Sequence, residues 1–255
     1  MLKRPPFLLA LFLLLTSGCG SAYSTPGRGA NLNEIAGYVA AEADRGDPSI
    51  LSAMGTRPLA KFPTGVAVVR VQAPGYKSNT AQGWGAGRYS IVTTRDIEAP
   101  ADMERLTKLP LVSGIGPINR LLLPSHLESD RELREAAGRM HADVLLVYTL
   151  DTTFVVEDKA APLSVVSLGL SPNQKAKVVC TASAVLMDTR NGYLYGVAEA
   201  TDRQGQLASA WTSGAAVDQT RRRTETKAFA KLVGELEKTW GGVVGTYAAG
   251  AGLKG

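Results

Sequence analysis

The stretch Asp143-Val-Leu-Leu-Val-Tyr-Thr-Leu-Asp-Thr-Thr-Phe-Val-Val156 is the longest β-rich run in the chain. Its opening residues are apolar without alternation, the pattern of a strand buried on both faces near the middle of a sheet. The residues before it have a helical period. Leu133, Ala136, Ala137 and Met140 recur on one face, and Ser129 with Glu132 has the spacing of a capping box. Beyond it, Lys177 to Asp188 and Tyr193 to Ala200 are two further strand-like runs, joined by Thr189-Arg-Asn191-Gly192. Asn-Gly between such runs is the strongest short-range hairpin signal, because both residues tolerate the positive φ the turn needs. A capped helix, a central strand and a long hairpin set the expected class: α+β, a mixed and mostly antiparallel sheet flanked by helices, in a single domain.

Working outward, Gly65-Val-Ala-Val-Val-Arg-Val71 is the first strong strand, Tyr89-Ser-Ile-Val-Thr-Thr94 a second, and Ile118-Asn-Arg-Leu-Leu-Leu123 a third. Asp102 to Leu109 has the length of one or two helical turns, closed by Pro110. A short amphipathic helix is expected from Leu32 through Ile35 and Val39 to Ala43, with Asp47-Pro48 ending it. The last element is a helix from about Asp218 to Trp240, striped by Ala228, Phe229, Leu232, Val233 and Leu236, with Gly241-Gly242 expected to stop it. The Gly/Ala-rich tail, 241–255, is expected to be loose. No fixed-period repeat is visible.

The chain has 255 residues, 45% of them hydrophobic and 20% charged, enough to bury a core. Its first block is different in kind. Lys3 and Arg4 precede Phe7-Leu-Leu-Ala-Leu-Phe-Leu-Leu-Leu15, and the small residues Thr16-Ser-Gly-Cys19 follow. An apolar run this short does not span roughly 30 Å of hydrocarbon at about 1.5 Å per residue, so it reads as a signal peptide. That order resembles the bacterial lipoprotein signal. The resemblance implies cleavage after residue 18, lipid on Cys19, and, because Gly20 and not Asp follows, the periplasmic face of an outer membrane. The other reading of the same residues is an ordinary secretory signal cut near Ala22. Residues 19–31, rich in Gly, Ser and Pro, would be a flexible tether, and 32–240 the folded domain. Cys180 is left without a disulfide partner once Cys19 carries lipid.

The capped helix running into Ala142-Asp143-Val-Leu-Leu-Val-Tyr-Thr-Leu-Asp151, the strand ending Ala184-Val-Leu-Met-Asp188-Thr-Arg-Asn191-Gly192 and the long final helix are together similar to the curli-secretion lipoprotein family and the related activators of peptidoglycan synthases. The likeness covers about Gly65 to Trp240. It implies a mixed sheet flanked by helices, a membrane contact through the lipid anchor, an envelope protein as partner and, in the secretion members, a homo-oligomer. The secretion members also carry membrane hairpins. Here only Leu163-Ser-Val-Val-Ser-Leu-Gly-Leu170 has that character, and Ala200 to Ala216 has the single aromatic Trp211, so no pore is expected.

Reaction chemistry is sparse. His126 and His141 flank a helix that sets them roughly 18 Å apart, too far for one metal ion. No Gly-x-Ser-x-Gly elbow occurs, and Cys180 lies among small and β-branched residues, where a thiol is usually inert. Gly83-Trp84-Gly85-Ala86-Gly87 precedes a strand and lacks Lys-Ser/Thr, so it is not a phosphate loop; it reads as a mobile loop or hairpin tip with Trp84 as a partner contact. Arg221, Arg222 and Arg223 interleave with Asp218 and Glu225 as a solvated helix face does, and are the other candidate contacts. With pI near 9.2 they would meet anionic peptidoglycan or lipid headgroups; nucleic acid is not expected in a secreted chain. No cofactor, no metal and no enzymatic activity are expected.

Overall fold

The computed structural model describes residues 29–30, 48–158, 174–207 and 214–248. In chain order these form α1 (Pro48–Gly55), β1 (Thr64–Gln72), β2 (Ala86–Gly87), β3 (Ser90–Val92), α2 (Pro100–Thr107), β4 (Val112–Pro117), a 3-10 turn (Arg120–Leu122), β5 (His126–Leu127), α3 (Asp130–Arg139), β6 (Val144–Asp158), β7 (Gln174–Asp188), β8 (Leu194–Leu207) and α4 (Gly214–Tyr247). The main sheet runs β3-β1-β6-β7-β8, with β4 also on β1. β1 pairs in parallel with β6 and β4 and antiparallel with β3, while β6, β7 and β8 form an antiparallel meander. The sheet is therefore mixed and mostly antiparallel, as the sequence pattern predicts, and β6 sits in its middle.

Strand alternation sorts the core onto two faces. Val66, Val68, Val144, Leu146, Leu150, Ala182 and Leu186 meet Phe229, Leu232, Val233, Leu236 and Trp240 of α4, and Leu106 of α2. Ala67, Val69, Leu145, Val147 and Met187 meet Leu133, Ala136 and Ala137 of α3 on the other face. Each large apolar side chain buried here stabilises the fold by roughly 1.5–3 kcal/mol, which is why β6 shows no polar alternation at its start. α3 begins with the expected capping box, Ser129 N–H donating to Glu132 at 3.0 Å. It ends in a Schellman arrangement: Ala142 N–H reaches Ala137 O at 3.1 Å and His141 N–H reaches Gly138 O at 3.0 Å, with His141 at φ 56°.

Three expectations need correction. The run Ile118–Leu123 is not a strand. Asn119 caps the 3-10 turn, its Oδ1 accepting from Leu121 N–H at 3.0 Å, and the strand is β4 just before it. Gly241-Gly242 does not end α4, which continues to Tyr247. Val243 is buried there and Tyr247 stacks edge-on against Tyr193 and Tyr195, and this packing offsets the roughly 1 kcal/mol that each helical glycine costs. The segment 73–87 is pinned to the body of the domain. The expected signal peptide, the tether as far as Arg28, the Leu32 to Ala43 helix, Leu163 to Leu170 and Trp211 lie outside the described residues. No helix among the described residues is long and apolar enough to cross a membrane.

Candidate functional site

Arg70 is the one charged residue in the apolar run of β1, at the parity of Val66 and Val68, so its side chain enters the layer between sheet and α4. It is 2% exposed. Its Nη1 lies 3.0 Å from Asp96 and 3.7 Å from Glu98, and its Nη2 donates to Tyr76 OH at 2.9 Å. Tyr148, its neighbour on β6, donates to Glu98 at 2.5 Å. The far side of the cluster comes from the first turns of α4. Arg221 Nε donates to Asp218 at 3.0 Å, its Nη1 to Glu225, and its Nη2 to Thr80 Oγ1 at 3.1 Å. Thr152 Oγ1 donates to the other Glu225 oxygen at 2.8 Å, and Thr80 donates to Asp96.

Electrostatics follow from this crowding. Burial opposes the charge on Arg70, yet Tyr76, Glu98 and Glu225 around it hold the guanidinium protonated well above its ordinary range. Burial also opposes the charge on Arg221, and Glu225, Tyr76 and Asp218 together more than compensate. Glu225 itself is raised above the usual carboxylate range, because its burial outweighs Arg221 and Arg70. Burial and the adjacent Glu98 push Tyr148 up. Arg70 Nε is buried without a hydrogen-bond partner. Beside it a narrow cleft lined by Arg70, Glu98, Tyr148, Met103 and Ile118 lies where β4 leaves β1 and β3 joins it. The arrangement clamps 73–98 between sheet and helix. Its carboxylates are committed to guanidinium and hydroxyl partners.

A second cluster lies at the turn between β7 and β8. Asp188 is fully buried and accepts from Leu59 N–H at 2.7 Å, Tyr195 OH at 2.7 Å and Arg190 N–H at 2.8 Å. Asn191 Nδ2 donates to Arg57 O at 2.7 Å, and Arg190 pairs with Asp143 at 2.6 Å. The Asp188 to Gly192 motif is thus a staple that fastens 57–61 to the hairpin.

Of the candidates read from sequence, Cys19 lies outside the described residues. Arg221 is corrected: it is fully buried in the ion cluster and unavailable to a partner. Arg222 and Arg223 are exposed, and Arg222 donates to Asp96 O at 3.2 Å. Trp84 is half-buried, packed on the α3-side core, and its backbone bridges to Ile91. The glycines around it answer to packing: a Cβ on Gly83 would meet Ser90 Oγ at 2.3 Å, and Gly87 has φ 112° with Leu127 O 2.2 Å from its Cβ position. Cys180 is buried, which pushes its thiol up to about 12. His126 is exposed beside Glu128 at 2.6 Å, and His141 is the helix-terminal residue already described. No group of three or more His, Cys, Asp or Glu among the described residues is placed to hold a metal. Arg70, Asp96 and Glu98 escaped the sequence reading, and Glu225 and Asp218, read there as part of a solvated helix face, are buried. The signal for Arg70 was present, a charge at an inward position of a buried strand, but its partners lie far apart in sequence.

No family model matches the chain, and no curated protein matches it. Solved structures similar to it include the DUF330 protein XCC0632 from Xanthomonas campestris, at 11% identity over 75% of this chain and 92% of that one, with a TM-score of 0.33. Lipoprotein GNA1162 from Neisseria meningitidis is 14% identical over 65% of this chain and 99% of its own, with a TM-score of 0.28. The PelC dodecamer from Paraburkholderia phytofirmans is 14% identical over 69% and 94%, with a TM-score of 0.25. Likenesses this distant assign no activity.

Proposed function

We propose that the chain is a lipid-anchored lipoprotein on the periplasmic face of an outer membrane, and that its mixed-sheet domain is a non-enzymatic protein-binding module in envelope assembly, of the curli-secretion lipoprotein type. One observation carries the reading: Lys3-Arg4, the apolar run Phe7 to Leu15, and Thr16-Ser-Gly-Cys19 stand in the order of a lipoprotein signal. Acyl chains on Cys19 would anchor the domain through about 0.8 kcal/mol per buried CH₂, several chains together giving stable attachment. The non-enzymatic part is supported by the way Arg70, Asp96, Arg221 and Glu225 are spent on one another. Trp84, Arg222 and Arg223 remain the contact candidates. A second reading, a subunit of an oligomeric curli-like assembly, draws on the outer edge of β8, which no described strand pairs.

Cys19→Ser tests the address. Metabolic palmitate labelling should disappear and the protein should move to the soluble periplasmic fraction. Mass spectrometry finding an unacylated native N-terminus beyond residue 19 would overturn the reading. Pull-down of the tagged chain from gently solubilised membranes identifies the partner, and native mass in detergent separates the module from a ring.

A further inference from the structure

The hairpin is closed by Asp188 N–H donating to Tyr193 O at 2.8 Å. Counting the antiparallel alternation from that pair, through the bulge beside Leu186 and Met187, turns the N–H and C=O groups of Val197, Glu199, Thr201, Arg203 and Gly205 away from β7. Two α4 side chains agree with this direction, Lys231 donating to Thr201 O at 3.2 Å and Thr239 to Val197 O at 3.5 Å. The side chains of these residues lie on the face away from α4. Val197 is 69% exposed, and Glu199, Arg203 and Gly205 are exposed as well. A long edge without proline that no described strand pairs is a template for another strand.

We propose that two copies of the chain join edge to edge, by antiparallel β8–β8 pairing about a twofold axis at Thr201. Charge selects the occupant and the register. A centre at Glu199 would place carboxylate on carboxylate, and a centre at Arg203 guanidinium on guanidinium; a centre one residue to either side of Thr201 leaves both charges without an opposite. Centred on Thr201, Glu199 faces the partner's Arg203, and the symmetry repeats the pair, as an isologous contact requires. The same register sets exposed Val197 against the partner's Gly205, whose Cβ position is open. Lys231 is compatible with this pairing: it reaches Thr201 O from α4, where Asp202 holds it at 2.7 Å, and a carbonyl accepts a second bond. The surface lies in the folded domain, so this inference does not rest on the lipid anchor.

The test is sedimentation of the full mature chain in density-matched detergent. A reversible monomer–dimer equilibrium is expected. Arg203→Glu and Glu199→Arg should each weaken it roughly tenfold, and the double swap Glu199→Arg with Arg203→Glu should restore it. Thr201→Cys should cross-link to itself under mild oxidation, because directly opposed Cα atoms lie about 5.5 Å apart, whereas Glu199→Cys alone should not. A monomer at every concentration, a larger ring, indifference to charge reversal, or equal cross-linking at both positions would each overturn the proposal.

Discussion

Arg70 of β1 and Arg221 of α4 are held on opposite oxygens of one carboxylate, Asp96, at 3.0 and 3.9 Å. Asp96 belongs to neither element. Two guanidiniums that a strand and a helix bring into the interior are thereby joined through a loop, and that loop is fixed wherever sheet and helix are packed. Stability and loop geometry are coupled at this point, and the predictions begin there.

Removing Arg221 leaves Glu225 and Asp218 buried without their cation. Arg221→Ala is expected to destabilise by about 3–5 kcal/mol, the cost of breaking a buried pair from one side. Arg223→Ala, two residues on and exposed, should stay within about 0.5 kcal/mol. Urea unfolding of both variants checks the contrast, and equal effects would contradict it.

Glu225 sets a pH dependence. Burial raises its carboxyl against the opposing pull of Arg221 and Arg70, with Asp96 adding to the rise. A carboxyl raised in the folded state takes its proton first in the folded chain. Its stabilising contribution is therefore complete below the ordinary carboxylate range and is lost as pH climbs through the raised value. The stability of the native chain minus that of Glu225→Gln should fall with increasing pH across weakly acidic conditions, measured by denaturant titration from about pH 4 to 8.

Gly87 combines φ 112° with a carbonyl 2.2 Å from the position of a Cβ. Gly87→Ala should cost upward of about 2 kcal/mol, because both the backbone and Leu127 must shift. Gly114→Ala, with open space around it, is the control and should be close to neutral.

His141 occupies the left-handed C′ position of α3. His141→Gly relieves that conformation and should raise stability by roughly 0.5–1 kcal/mol, read as an increase in the thermal midpoint.

The Cys180 thiol is buried in the α4-side core and pushed up to about 12. A thiol reagent at neutral pH should leave it unmodified in the native chain and label it on unfolding. Rapid native labelling would show that the layer between sheet and helix opens.

Periodicity and local chemistry made much of the fold legible in advance. The capping box of α3, the unbroken apolar opening of β6, the Asn191-Gly192 turn and the stripe on α4 all depend on residues a few positions apart, and short-range spacing is what a sequence displays directly. Tertiary structure decided what depends on distant partners. Gly241-Gly242 stays helical because Tyr247 finds Tyr193 and Tyr195, and Val112 to Pro117 becomes a strand because β1 offers it an edge. Arg221 opens a run with exposed Arg222 and Arg223 that looks solvated, yet Thr80, Asp96 and Glu225 converge on it from a loop and a helix and make its burial tolerable. A buried charge is stable only where several distant groups meet it at once. That condition belongs to three-dimensional packing, whereas the address proposed from residues 1–19 and the periods of the strands and helices are read from the sequence alone.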